Sequence, residues 1–263
     1  MPAFVGGDVD IAGIKWVASF PGNINRGIPR AHSVVVLNNA DTGEIEAIIN
    51  TNLISIIRTV SVTGLMIEYF DRSMSLSNFN LGIVGWGPIG QFHFKMVTEL
   101  YGSKLGEVFL YDKNPINPKS FGDEKNITIT ESWEQAYSKS DVFITCTVAD
   151  EPYIDKKPKK GSLLLNISLR DYKTDIYDYI KDSIIVDDWQ EVCRENTDIE
   201  RLHIEKGLKE EMTHSIVDVV IHKCLAELEP PVIFNPMGMG VFDMGIGSYY
   251  FKKAVALGLG QSL

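Results

Sequence analysis

The chemistry legible in this chain sits in Lys15, Arg58, Asp171 and one glycine-spaced turn. Lys15 stands inside an otherwise apolar run, Ile11 to Ser19. Arg58 lies one turn from Ile54 and Ile57 in a helical apolar pattern. A buried cation needs a fixed anionic partner, because an unpaired one is costly to desolvate. Lys15 is therefore either an edge-strand lysine whose stem packs while its amine reaches water, or a functional cation with a tunable pKa. Arg58 either meets a structural acid or offers its planar fork to a ligand carboxylate. Asp171 follows the run Leu163 to Ser168, at the carboxyl end where open α/β sheets bind ligands. It either caps the segment starting at Tyr172 or acts as a base on water. Arg30, beside Pro29, is a solvated loop residue or a cation for a further substrate carboxylate. His32 and His93 read as packing or helix-surface residues.

The turn is Gly85-Trp86-Gly87-Pro88-Ile89-Gly90. An apolar run, Leu81 to Val84, leads into it, and a helical pattern, Phe92 to Leu100, leads out. A second apolar run, Val108 to Tyr111, ends on Asp112. Strand, glycines, helix and a later acid are the dinucleotide fingerprint in its proper context. Gly85 makes the tight turn, Gly87 lets the backbone reach a pyrophosphate, and Gly90 allows close helix–strand packing. The pyrophosphate would rest on free N–H groups at the helix N-terminus. Asp112 lies a little beyond the usual spacing of roughly 20 residues and favours NAD over NADP by accepting the ribose 2′-hydroxyl. Lys113 beside it weakens that preference.

These groups need elements to position them. Short strands at Val108–Tyr111, Val142–Val148, Ser162–Ser168 and Ile184–Val186, apolar throughout, alternate with helical stretches such as Ser132–Ser138. That pattern predicts an α/β, doubly wound parallel sheet buried on both faces. A strand at Ile11–Ser19 precedes a hairpin of Ser33–Asn38 and Ile45–Asn50 around Asp41-Thr42-Gly43. Leu53–Phe70 has a helical period, and the polar run Asp71–Asn80 reads as a hinge. Ile199–Leu228 reads as mostly helical, Val232–Pro236 as a last strand, and Met237–Gly247 as the opening of another helix. The expected division is residues 73–236 as the dinucleotide domain, with 1–72 plus 237–263 as a smaller α+β substrate and dimerisation domain.

With 263 residues, 44% hydrophobic and 23% charged, the composition is that of an ordinary globular protein. The net charge of −10 argues against non-specific partners among nucleic acids or anionic membranes. No apolar stretch reads as long enough to span a bilayer, and the N-terminus lacks a secretory pattern. Cys146, Cys193 and Cys224 are odd in number and far apart, which fits a reducing cytosol and neither a disulfide framework nor a zinc site. No metal is expected.

Four stretches, in order, resemble the ornithine cyclodeaminase/mu-crystallin superfamily: Gly13-Ile14-Lys15-Trp16-Val17, Leu53-Ile54-Ser55-Ile56-Ile57-Arg58-Thr59, Gly85 to Gln91, and Asn166-Ile167-Ser168-Leu169-Arg170-Asp171. Within it, Thr145 to Ile154, Val186-Asp187-Asp188-Trp189 with Cys193-Arg194-Glu195, and Asn235-Pro236-Met237-Gly238-Met239 are most similar to the dehydrogenases of 2,3-diaminopropionate synthesis for siderophores. The resemblance implies NAD-dependent oxidative cleavage of N-(2-amino-2-carboxyethyl)-L-glutamate to 2-oxoglutarate and L-2,3-diaminopropionate. It also admits an ornithine cyclodeaminase, a ketimine reductase, or a non-catalytic NAD(P)H-binding crystallin-like protein. It places Lys15 near the substrate carboxylate or imine nitrogen, Arg58 as a clamp on the α-carboxylate, and Asp171 at the catalytic aspartate, with shortened spacing after it. Thr59, Trp86, Pro88, Ile89, Thr147, Ser168 and Met237 then join the glycines and Asp112 around the cofactor. A cytoplasmic homodimer acting on a small amino acid is implied as well. Family members carry a further segment before the position of Met1, with strands and, in cyclodeaminases, a substrate-binding arginine. The expectation is therefore a fragment or the product of a late start codon.

Overall fold

The computed structural model describes residues 1–122 and 126–261. An antiparallel sheet comes first, with β1 (Pro2–Val5), β2 (Ile11–Ser19), β3 (Ala31–Asn39) and β4 (Ile45–Asn50) in that spatial order, followed by α1 (Leu53–Met74). The β3–β4 hairpin turns where expected, because Asn39 Oδ1 accepts the Asp41 and Thr42 N–H groups at 3.0 and 2.9 Å. Next come β5 (Phe79–Val84), α2 (Pro88–Tyr101), β6 (Leu105–Tyr111), β7 (Ile127–Ile129), α3 (Trp133–Lys139), β8 (Val142–Thr145) and β9 (Leu163–Asn166). They are followed by α4 (Tyr177–Ile180), β10 (Ile184–Val186), α5 (Trp189–Val192), α6 (Asp198–Lys206), β11 (His214–Ser215), β12 (Val232–Asn235) and α7 (Gly240–Ala256).

The chain forms two compact units, Met1–Thr59 with Gly238–Leu263, and Val60–Met237. The division falls inside α1 and not in the polar run after it. That helix continues through Arg72 because Val60, Met66, Ile67 and Phe70 are buried along it. By length and composition alone α1 could cross a membrane, contrary to the expectation of no such stretch. Met66, Ile67 and Phe70, all fully enclosed, make it a core helix of the protein.

In the first unit the inward face of the antiparallel sheet packs with α7 around Ile11, Val35, Leu37, Ile54 and Met244. Alternate residues of each strand point the other way, and there Phe4, Ile14, Trp16 and Ile48 are exposed. In the second unit eight strands run β11-β10-β12-β9-β8-β5-β6-β7, every pair parallel. β8, β9, β10 and β12 are buried end to end, as continuous apolar runs require when both faces are covered. The chain builds outward from β5 to β6 and β7 on one side and restarts at β8 on the other. The β5/β8 boundary is thus the topological switch point, where such sheets bind ligands.

The stretch Ile199–Leu228 is mostly helical, as expected, but in short pieces with a strand between them. α6 stops at Gly207, which takes φ 71 at the C-cap, and His214–Ser215 pairs instead with β10 at the sheet edge. One π-helical turn, Asp218–His222, follows. The short strands β1, β7 and β11 were not anticipated, because they are too brief to show a period of two.

Candidate functional site

β5 ends at the fingerprint turn. Gly85 takes φ 97, and a Cβ there would stand 2.4 Å from the Cys146 carbonyl oxygen, so a side chain is excluded on both counts. A Cβ on Gly90 would stand 2.1 Å from the Gly85 oxygen, which is how α2 can press onto the turn. Gly87 differs: a Cβ there would meet nothing within 4 Å. The open space lies at the N-cap of α2, where Pro88 opens the helix and no side chain caps it. A pyrophosphate resting on helix N–H groups would need such a space. Just past β6, Asp112 turns back on the loop, its Oδ2 accepting the Trp86 N–H at 2.6 Å and its Oδ1 the Asn114 N–H at 2.8 Å. A carboxylate has about four acceptor positions, so ribose hydroxyls can still be bound.

The other fingerprint residues brace the turn. Trp86 is buried, its Nε1 donating to Ser120 Oγ at 2.7 Å and its ring lying edge-on to Phe94. The Ile89 carbonyl accepts from His93 Nδ1 at 2.8 Å, which leaves Nε2 to accept from Thr63 Oγ1 at 3.0 Å. Burial pulls His93 down to about 4, so the ring is neutral at physiological pH and serves packing. His32 is exposed on β3.

The same unit encloses Asp171. Thr145 and Asn166 end β8 and β9 side by side, and beyond them the hydroxyls of Thr147 and Ser168 both donate to the Asp171 carboxylate. Those two side chains, expected at the cofactor, are thus engaged with the acid. Asp171 is 0% exposed, and burial raises its pKa while the hydroxyl donors partly offset the shift. Its carboxylate caps no helix, since the 3-10 turn after it begins at Thr174 with Lys173 as N-cap. Met237 approaches through its backbone, its N–H donating to Asp187 Oδ1 at 3.0 Å.

The first unit holds a different cluster. Lys15 is 3% exposed on an interior strand, which removes the edge-lysine alternative. Its Nζ donates to Ser55 Oγ at 2.8 Å and to Asp243 Oδ1 at 2.9 Å. The same oxygen lies 3.6 Å from Arg58 Nε. One fully buried carboxylate therefore faces two cations, and with Lys15 protonated one positive charge is in excess. Burial and the Arg58 charge lower the Lys15 pKa, while Asp243 opposes them. Gly238, at φ 93, brings its backbone against Arg58, where a Cβ would collide with the guanidinium at 1.9 Å. Thr59 back-bonds to the Ser55 carbonyl at 2.8 Å. Arg30 precedes β3 with its Nε enclosed and without a hydrogen-bond partner. No hydrogen bond or ion pair joins it to Lys15, Arg58 or Asp243 among the described residues.

Sequence reasoning missed Asp243 and Asp198. Asp243 is a lone acid between Phe242 and Met244, and the buried-charge argument applied to Lys15 and Arg58 would have flagged it. Asp198 hides in Asn196-Thr197-Asp198-Ile199-Glu200, a helix-capping signature in which an acid excites no interest.

Residues 1–256 match the ornithine cyclodeaminase/mu-crystallin family. The chain belongs to that family. Among its relatives, N-((2S)-2-amino-2-carboxyethyl)-L-glutamate dehydrogenase of Staphylococcus aureus is 31% identical over 100% of this chain and 80% of its own length. Alanine dehydrogenase of Archaeoglobus fulgidus is 25% identical over 100% of the chain and 82% of the relative. In fold, the chain is similar to Thermococcus litoralis Delta(1)-pyrroline-2-carboxylate reductase, solved with NADH and L-proline. The TM-score is 0.82 at 23% identity, covering 97% of this chain and 82% of that one. An archaeal alanine dehydrogenase dimer with bound NAD gives 0.76 at 19% identity, covering 100% and 87%. The α/β class and the family read from the four motifs both stand.

Proposed function

We propose that this protein is an NAD-dependent amino-acid dehydrogenase that cleaves N-(2-amino-2-carboxyethyl)-L-glutamate in a siderophore-precursor pathway. The observation that carries the reading is the pair of cations on one buried carboxylate, Lys15 and Arg58 on Asp243. Its excess positive charge suits a substrate rich in carboxylates, and low local dielectric strengthens the attraction. The likeness to the Staphylococcus aureus dehydrogenase, over 100% of this chain and 80% of that relative, supports this choice of substrate.

The Gly85–Gly90 turn and Asp112 would hold NAD, which when bound would supply the hydride acceptor for oxidation at the glutamyl Cα. Arg58 grips the α-carboxylate with its planar fork, and Arg30 takes a further carboxylate. Lys15, with its pKa lowered, attends the nitrogen. Once the Cα–N bond is an imine, Asp171 takes a proton from the attacking water and passes it to nitrogen, giving a carbinolamine. It then relays the carbinol hydroxyl proton to nitrogen as the carbonyl forms and the C–N bond breaks. The products are 2-oxoglutarate and L-2,3-diaminopropionate. The protein works in the cytoplasm as a homodimer. Phe4, Ile14, Trp16 and Ile48, with Trp16 75% exposed, form an apolar row on the outer sheet face that a symmetric copy would cover.

Mass spectrometry of products from a panel of amino acids with NAD tests the reading. Stoichiometric NADH with 2-oxoglutarate and 2,3-diaminopropionate is expected from the glutamate conjugate. Ornithine converted to proline with no net NADH would establish a cyclodeaminase instead. NADH binding without turnover of any substrate would leave a binding protein.

A further inference from the structure

The unit Val60–Met237 encloses a second acid that the scheme above leaves unused. Asp198 is 3% exposed. Its Oδ2 accepts three hydrogen bonds, from Asn166 Nδ2 at 2.9 Å and from the backbone N–H groups of Asp171 and Tyr172 at 3.0 Å each. In return the Asp198 N–H donates to the Leu169 carbonyl at 2.7 Å. The segment held this way begins with Leu169 at φ 64, a left-handed conformation that a bulky residue adopts only where its surroundings impose it. Asn166 completes the clasp, accepting the Leu169 N–H at 3.1 Å and donating to Asn235 Oδ1 at 2.7 Å.

No lysine or arginine pairs with Asp198 or Asp171 among the described residues. A buried anion without a cation is a costly way to close a turn, since a neutral amide could accept the same bonds. The charge therefore calls for a reason beyond folding. We propose that Asp198 is a positioning residue for Asp171, fixing where that carboxyl stands and how readily it takes up a proton. The inference rests on Asp171 being the base. Negative charge on either acid disfavours ionisation of the other, so their protons leave in coupled steps. Burial pushes Asp198 up to about 6. Among the described residues, Tyr153, Tyr172 and Cys146 interact with the pair, all pushed up by burial and uncharged at neutral pH.

The test is kcat against pH for the full chain carrying Asp198→Asn, Asp198→Ala or Asp171→Asn, with thermal unfolding and NADH affinity measured alongside. Asp198→Asn keeps the acceptor and removes the charge. It should move the acidic limb of the profile down by about one pH unit, the lower end of shifts caused by a neighbouring charge. Asp198→Ala removes the grip and should lower kcat at least about tenfold at every pH while NADH affinity holds, within the range for a misplaced general base. A folded Asp198→Asn protein with an unmoved acidic limb overturns the proposal, even if Asp198→Ala does not fold. A loss of thermal stability without a shift of the limb overturns it equally, because that result marks a purely structural role. If Asp171→Asn is inactive while both Asp198 variants match the wild type, only the Asp198 inference falls. Normal turnover in Asp171→Asn would remove the base itself, and the inference with it.

Discussion

In the unit built on the antiparallel sheet, two cations crowd one carboxylate; in the unit built on the parallel sheet, the carboxylates of Asp171 and Asp198 are enclosed with no cation paired to either among the described residues. Lys15 and Arg58 share Asp243, whereas Asp171 and Asp198 are held by hydroxyl and amide donors. The consequences differ because desolvation and Coulomb forces combine differently. Surplus positive charge at low dielectric awaits an anion, and a ligand carboxylate can satisfy the cation that Asp243 shares. Neutral donors stabilise a carboxylate less than a cation would, so burial prevails and the Asp171 pKa stays raised. One cluster is suited to binding, the other to moving a proton.

Substitutions can break that division of labour, and the largest effect is expected at the cofactor turn. Gly87→Val should abolish NADH binding, read by fluorescence, with the melting temperature nearly unchanged, since a Cβ there meets nothing within 4 Å. Retained NADH binding in the folded variant would show that the pyrophosphate lies elsewhere. Asp171→Asn comes next. It should lower kcat by about 10²–10⁴ and leave KM alone, the signature of a group used in the chemical step. In the wild type, kcat should fall as pH drops through the raised Asp171 pKa, because the protonated acid cannot accept from water. A flat acidic profile would assign the base to another residue.

Arg58→Ala should act on binding, raising KM by about 10–100-fold for a lost charge-assisted bond of about 1.5–3 kcal/mol, with little change in kcat. A pure kcat effect would instead place Arg58 in the chemistry and blur the contrast between the clusters. The smallest effect is expected from Asp112→Ala. It should weaken NAD by about 1–2 kcal/mol in titration calorimetry and NADP by less. Because Asp112 also accepts the Trp86 N–H, some loss for both cofactors is expected. Equal losses would mean that Asp112 only braces the turn.

Much of this was legible in the chain. The Gly85–Gly90 turn and its flanking strands and helix were readable because turn stereochemistry is encoded by neighbouring residues. The apolar runs at Leu163–Asn166 and Val232–Asn235 announced buried parallel strands for the same local reason. Lys15 and Arg58 stood out as charges in apolar patterns, which desolvation makes rare. Locality also explains the failures. Within the mostly helical Ile199–Leu228, His214–Ser215 was drawn out to pair with β10, and α1 ran on to Met74, into the polar run, because its apolar face was packed.

The sequence by itself determined which residues could bear charge indoors and where a dinucleotide turn would form. Only the tertiary structure decided their partners. Asp243 reaches Lys15 across 228 positions, and Asp198 reaches the Asp171 backbone across 27. No periodicity or spacing records contacts of that kind, because they are set by how strands and helices stack once apolar surface has left water.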